Sequence, residues 1–474
     1  MSHLFPVDDA FRARLRTLLP PQALREETEP YTRELRGAYR GQAGMVVAPG
    51  STEEVSAVLA AANAARVAVV PYGGGTGLVA GQVMPEGPAP LILSLERMTR
   101  IRRVDAEENV ITADAGVVVE ELHRAAEAVN RLFPLSFGAQ GSARIGGALA
   151  SNAGGLNVLR YGNTRELCLG IEAVLADGRV MHTLTRLRKD NTGYDLRNLL
   201  VGSEGTLGVI TGAALKLFSR PTHRATAMLV VPSPAAALKL LALARDHAGE
   251  QISGFELISG QSFRFLEETL PDIRRPFHPA PDWMVLTEVG LSGSGDAEGM
   301  MAGILEAAFE ADLVSDGVIA QSEAQADALW HLREAIPEAN RAIGAISSHD
   351  ISLPLSALPE FIDEGRAKLA DLGPYRLNCF GHLGDGNLHY NVFPPVGEDK
   401  AAHLGAKRAI MDLIHGLVAG YGGSFSAEHG VGRLKVEDLE RYGDPVKLDM
   451  MRGIKRLFDP NGILNPGAVL RAEG

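Results

Sequence analysis

The chain has 474 residues, of which 46% are hydrophobic and 22% charged, a length beyond what a single core supports and a composition ordinary for a folded protein of two or more domains. A net charge of −12 disfavours nucleic-acid and anionic-membrane surfaces, both of which depend on basic patches. Cys168 and Cys379 are the only cysteines, so a disulfide framework is excluded and a reducing compartment is expected.

Residues 1–21 contain Asp8 and Asp9 and no long apolar core, unlike a secretory signal. The longest apolar stretch, 57–70, is broken by Asn63 and Arg66, short of the roughly 20 apolar residues that span a bilayer. The expectation is a cytoplasmic protein with no membrane span and no nucleic-acid partner.

Ser51 and Glu54 form a capping-box pattern ahead of Val55, Val58, Leu59 and Ala62 at helical spacing. A strand is expected over 66–72, feeding Gly73-Gly74-Gly75-Thr76-Gly77. A strand that runs into glycines can cradle an anion with backbone N–H groups. The permissive dinucleotide pattern at Gly75, Gly77 and Ala80 lacks its following helix, because Pro85, Gly87 and Pro88 interrupt the stretch before a strand at 91–95. A second glycine-rich tract covers 138–163 and a third 202–210. Singly, each reads as a surface loop; together they fit a long ligand lying close to the backbone.

Beyond residue 220 the glycine tracts give way to helix patterns such as 235–248 and 324–336, alternating with strands such as 283–289, which predicts an α+β layer. The run Gly381-His382-Leu383-Gly384-Asp385-Gly386-Asn387-Leu388-His389-Tyr390-Asn391 reads as a hairpin, since Asp-Gly favours a tight turn. With the turn at 384–387, His382 pairs with His389 across the strands and their Cβ atoms lie roughly 5 Å apart. Asn391 shares that face. Adding Glu428 gives two imidazoles and a carboxylate, a ligand set common to catalytic zinc sites with an open position. Glu428 and His429 are adjacent, so in an extended chain one can bind metal while the other faces the reacting group. On these residues alone, a metal-dependent hydrolase and a redox enzyme are both open.

The glycine tracts, Lys189-Asp190-Asn191-Thr192-Gly193-Tyr194-Asp195-Leu196, the segment 202–210, the hairpin, Glu428-His429-Gly430 and Asn465-Pro466-Gly467 occur in a consistent order from about residue 49 onward. Together they resemble the FAD-dependent D-2-hydroxy acid dehydrogenases of the vanillyl-alcohol oxidase superfamily, nearest to D-2-hydroxyglutarate dehydrogenases, with D-lactate dehydrogenases and glycolate oxidase subunits as relatives. The resemblance implies an α+β fold with a two-part FAD-binding (PCMH-type) domain over 1–220, led by 1–45. A substrate or cap domain over 221–425 follows, and 426–474 returns to the flavin.

Non-covalent FAD would be held by Pro71, Gly73, Gly74, Gly75, Thr76, Gly77, Gly138, Gly141, Ser142, Gly146, Gly147, Ser151, Asn152, Gly154, Gly155, Gly205, Gly208 and Ile210, with Asn465 closing over it. No histidine lies within 71–81 to tether the flavin. The resemblance further implies Zn²⁺ or another divalent metal on His382, His389 and Glu428, His429 as the base, and Asn391 and Arg333 as substrate contacts. A 2-hydroxy acid would lose hydride to flavin N5 and become a 2-oxo acid, with electrons passing to a separate electron-transfer flavoprotein, quinone or cytochrome; a homodimer is compatible with this. Where the family pattern has a threonine and a lysine beside the substrate carboxylate, this chain has Pro337 and Ser348, so D-2-hydroxyglutarate-like and D-lactate-like substrates both stay open. Arg341 and His349 are candidate replacements. The competing readings are a hydrolase using the same metal ligands, a glycolate oxidase-type subunit, and a flavoprotein that binds FAD without reducing it.

Overall fold

The computed structural model describes residues 4–35, 37 and 39–472. Residues 1–3, 36 and 38 of the expected N-terminal lead, and 473–474 of the expected C-terminal segment, lie outside the described residues. The chain divides into two compact units. The first contains Met1–Gly155, Tyr161–Ser219 and Glu428–Gly474, and the second Leu156–Arg160 and Arg220–Ala427.

Beside a two-stranded ribbon of Arg131–Leu132 with Phe218–Ser219, the first unit holds two larger sheets. One has the order Leu24–Arg25, Met45–Val47, Leu91–Ser94, Val69–Tyr72, its last three strands parallel. The other is antiparallel, in the order Ile101–Asp105, Val110–Asp114, Val209–Lys216, Cys168–Val174, Val180–Thr183. Both contribute to one core. Ser51 caps the helix Thr52–Ala65 by accepting from Glu54 N–H, while the Glu54 side chain takes the Gly50 N–H rather than that of the cap. That helix ends on Arg66 in a left-handed conformation, φ 52°. The strand expected from 66 therefore begins only at Val69. No helix follows Gly73–Gly77 before the strand Leu91–Ser94, as the interrupting prolines predict.

The last segment of the chain is woven into this same unit. Val69 N–H donates to Ile463 O and Asn465 N–H to Val69 O, extending the parallel sheet by one bridge. Asp459 receives the N–H groups of Ile463 and Leu464 and the Lys455 ammonium. A buried carboxylate with three donors is satisfied, and it fixes the final turn.

The second unit is one seven-stranded antiparallel sheet. Its order is Asp316–Ile319, His223–Val230, Trp283–Leu291, Ile252–Ser259, Arg376–His382, Asn387–Phe393, Asp350–Ser352. Successive strand residues point to opposite faces, and the two faces build separate cores. Leu257 and Cys379 belong to the core that includes residues of the helices Pro234–Ala248, Ala297–Glu310 and Leu358–Leu372. Ile258 and Phe380 belong to the other, with residues of the helices Gly260–Thr269 and Glu323–Ile343.

The long helix exceeds the expected 324–336 and runs through Pro337 to Ile343. Proline in a helix interior removes one backbone hydrogen bond. Here Ile336 and Ala339 are buried in the core and Asn340 Oδ1 accepts from Asn378, so tertiary burial keeps the helix going past the local stop signal. Among the described residues no helix is long and apolar enough to cross a membrane.

Candidate functional site

The hairpin is present, but its register is not the predicted one. The strands Arg376–His382 and Asn387–Phe393 flank a 3₁₀ turn at Leu383–Asp385, and His389 lies opposite Phe380. His382 lies instead opposite Glu256 on the neighbouring strand. The turn at 383–385 closes with a left-handed Gly386, φ 87°, which displaces the pairing by two residues. A shift of two preserves the face. His382 and His389 are thus diagonal neighbours on one side of the sheet, ring centroids 5.7 Å apart. The expected direct cross-strand pair is replaced by this diagonal one.

That face continues with Asn391 and Glu256. Glu256 is 1% exposed and sits in the strand Ile252–Ser259, whose neighbours Phe255 and Leu257 are also buried. Its Oε1 meets His382 Nδ1 at 2.5 Å and its Oε2 accepts Arg333 Nε and Nη2 at 2.7 Å. Arg333 comes from the helix Glu323–Ile343, is 4% exposed and stacks over the Phe380 ring at 4.9 Å. Burial pushes the Glu256 carboxyl up, but the charges of Arg333 and His382 and their hydrogen bonds outweigh it and hold it at about 2. Arg333 is therefore a buried, paired cation, not a solvated helix-face residue.

Asn391 Oδ1 accepts His349 N–H at 3.1 Å, which fixes the amide orientation. His349 is itself buried between Ser347 Oγ and His415 Nε2, at 2.9 and 3.1 Å. Ser348 and Arg341 are exposed. Burial pushes the Asp385 carboxyl in the hairpin turn up to about 6.

The donor set on this sheet face suits a divalent cation. With Nδ1 of His382 committed to Glu256, coordination of a metal would fall to Nε2, the usual arrangement of a metal-binding histidine backed by a carboxylate. Ala427 N–H donates to Asp350 O at 3.2 Å, and Asp350 lies opposite His389. Glu428 follows Ala427 by one peptide bond.

In the first unit, the predicted cofactor residues fall on strand ends, on loops and on one short helix. Pro71 lies within Val69–Tyr72 and Gly73 to Gly77, with Thr76, form the loop beyond it. Gly138, Gly141 and Ser142 precede the helix Ile145–Ser151, which contains Gly146, Gly147 and Ser151. Asn152 closes that helix at φ 52°, ahead of Gly154 and Gly155. Gly205 and Gly208 lead into the strand Val209–Lys216, which contains Ile210.

The first two tracts touch. A Cβ on Gly74 would stand 2.3 Å from Ser142 O, and one on Gly73 3.2 Å from Gly147 Cα. Gly138 has nothing within 4 Å of its Cβ position. Backbone packed against backbone on one side and open on the other is what a flat, anionic cofactor requires, so these residues fit FAD.

Glu204, in the third tract, was not anticipated. It adopts φ 52° and its two carboxylate oxygens accept the N–H groups of Val431 and Gly432 at 2.7 and 2.8 Å. A Cβ on Gly430 would sit 2.7 Å from Glu204 Oε1. Burial raises the Glu204 carboxyl, and the two N–H bonds and the Lys435 and Arg433 charges only partly oppose this. Asn465 Nδ2 donates to Gly81 O and Glu204 O, and its Oδ1 accepts from Arg433. The loop that follows His429 is thereby clamped from several sides. His429 Nε2 lies 3.5 Å from Glu428 Oε1.

Two descriptions of known domains match the chain: "FAD binding domain" over residues 43–184 and "FAD linked oxidases, C-terminal domain" over 220–469. A D-2-hydroxyglutarate dehydrogenase of Xanthomonas citri pv. viticola is 39% identical over 458 residues, 95% of this chain and 95% of the relative. A putative mitochondrial D-lactate dehydrogenase of Schizosaccharomyces pombe is 36% identical over 438 residues, 90% of this chain and 82% of the relative. The crystal structure of p-cresol methylhydroxylase with substrate bound superposes with a TM-score of 0.78 at 17% identity, covering 99% of both chains. That likeness establishes a two-domain, PCMH-type FAD-binding fold of mixed helices and sheets. With nearly full-length relatives on one side and the FAD-linked oxidase domain spanning more than half its length on the other, the chain belongs to the FAD-dependent D-2-hydroxy acid dehydrogenases.

Proposed function

We propose that the protein oxidises a D-2-hydroxy acid to the 2-oxo acid with the help of a divalent metal, and that His382, His389 and Glu428 hold that metal. The observation that carries this reading is the sheet face on which His382, backed by Glu256, lies beside His389. When bound, the metal supplies a Lewis acid for the substrate hydroxyl and FAD supplies a two-electron acceptor at N5. His429 takes the hydroxyl proton. The clamp by Glu204 on Val431 and Gly432 supports this role, because a base must be held in place to act. Two nitrogens of Arg333 are spent on Glu256, so its remaining Nη1 edge is the part offered to the substrate carboxylate. Asn391, fixed by His349 N–H, turns its amide nitrogen toward the substrate. FAD is held non-covalently by the glycine tracts. Electrons leave to a separate electron-transfer flavoprotein, quinone or cytochrome, and the protein works in the cytoplasm, in keeping with two buried thiols.

Relatives named for both D-2-hydroxyglutarate and D-lactate, together with an exposed Ser348 where the family pattern has a lysine, make the side chain of the substrate the quantity to measure. Anaerobic addition of D-2-hydroxyglutarate, D-lactate and their L-enantiomers to the yellow holoprotein tests the reading. Bleaching of the flavin by a D-acid and by neither L-acid is expected. Bleaching by neither D-acid, or by the L-series, would reject it.

A further inference from the structure

The Glu256 carboxylate has no place in the reaction described above, yet it is the most completely enclosed acid on the sheet face. It stands on a strand adjacent to the hairpin and touches two residues of different origin, His382 from the neighbouring strand and Arg333 from the covering helix. One oxygen goes to each. A buried carboxylate is costly unless its charge is compensated, and here the compensation comes from a guanidinium locked over Phe380.

We infer that Glu256 is a positioning residue for the metal centre, fixing His382 through Nδ1 so that Nε2 is presented to a divalent cation, with Arg333 anchoring Glu256 in turn. The inference rests on the reading of His382 as a metal ligand. Carboxylates in this relation to a ligand histidine set the ring orientation and raise its basicity, and their removal weakens metal affinity about 10- to 100-fold. Arg333 then serves two ends of one site: its Nε and Nη2 hold the carboxylate that orients the metal ligand, whichever substrate is bound. The geometry also accounts for an acid within a run of apolar strand residues, which burial alone would disfavour.

The test is the affinity of chelator-treated, FAD-loaded protein for Zn²⁺, measured by competition with a chromophoric chelator. Wild type, Glu256→Gln and His382→Ala are compared, and the flavin absorbance of each is recorded. Glu256→Gln should bind Zn²⁺ about 10- to 100-fold more weakly than wild type while keeping its FAD, and His382→Ala should bind more weakly still. Wild-type affinity in Glu256→Gln, with loss in His382→Ala, would overturn the positioning role and leave the metal site standing. Equal affinity in all three proteins would overturn both. Because Glu256→Gln alters a buried pair and could fail to fold, a second measurement uses the wild-type chain. Histidine-selective ¹⁵N spectra of the chelator-treated protein, with the ring assigned by His382→Gln, should show His382 carrying its proton on Nδ1. A proton on Nε2 alone would overturn the inference.

Discussion

Glu256 and Glu204 are carboxylates that hold a candidate site histidine or the loop beside one, and they are built in opposite ways. Glu256 stands on a strand and is met by two side-chain cations or potential cations, Arg333 and His382. Glu204 stands on a left-handed turn and is met by two backbone N–H groups, those of Val431 and Gly432. The first is held far below the usual carboxylate range; the second is held above it. Formal charge nearby outweighs burial, whereas neutral dipoles with more distant cations do not. The sheet site is thus an electrostatic unit, and the glycine-rich site is a backbone unit.

The contrast is broken most severely at His429, the proposed base. His429→Ala should lower the rate of flavin reduction about 10²- to 10⁴-fold while FAD absorbance and Zn²⁺ binding persist; stopped-flow reduction kinetics at saturating substrate check it. Next in size is Arg333→Ala, which leaves the buried Glu256 carboxylate without the guanidinium that meets its Oε2. A loss of about 3–5 kcal/mol in urea unfolding is expected, and a loss below about 1 kcal/mol, typical of exposed pairs, would show that the pair is not the electrostatic unit described.

The pH dependence of stability sharpens the comparison, because the two acids act with opposite sign. Glu256 has a folded value of about 2 against an ordinary 4.5. Its stabilisation is present above 4.5 and lost as pH falls toward 2, on the order of 3 kcal/mol. Glu204 has a folded value above 4.5. Its contribution is fully present below 4.5 and lost as pH rises through the folded value. Urea unfolding of wild type, Glu256→Gln and Glu204→Gln in EDTA across the acid range should show the acid loss shrink in Glu256→Gln and steepen in Glu204→Gln. Smallest is a backbone test of the cradle. Gly74→Ala places a Cβ 2.3 Å from Ser142 O, which should cost about 1–3 kcal/mol of stability and weaken FAD retention on gel filtration.

Much of this was legible in the sequence because the signals were local. The capping serine at 51, the strand expected over 66–72 that runs into Gly73–Gly77, apart from its start, and the hairpin expected within 381–391 depend on propensities and turn chemistry within a few residues. The register of the hairpin was not legible. The turn type that set it, a 3₁₀ turn closed by Gly386, was indistinguishable from a tighter turn at Asp385-Gly386, yet the even shift left both histidines on the predicted face. The end of the helix bearing Arg333 was misjudged because Pro337 signals a stop locally and only the packing of Ala339 and Asn340 overrides it. Glu256 and Glu204 escaped notice for a different reason. Their partners lie 126 and 227 residues away in the chain, and only a lone acid in the apolar run 252–259, or beside Gly205 in the third tract, hinted at them.

The proposed reaction depends on a divalent metal that His382, His389 and Glu428 would hold to activate the substrate hydroxyl. Anaerobic flavin reduction by the active D-acid, followed in chelator-treated protein and again after Zn²⁺ is restored, tests it most directly. Reduction is expected to be suppressed by metal removal and to recover with Zn²⁺ in wild type. Equal reduction rates in the stripped and restored protein would contradict it.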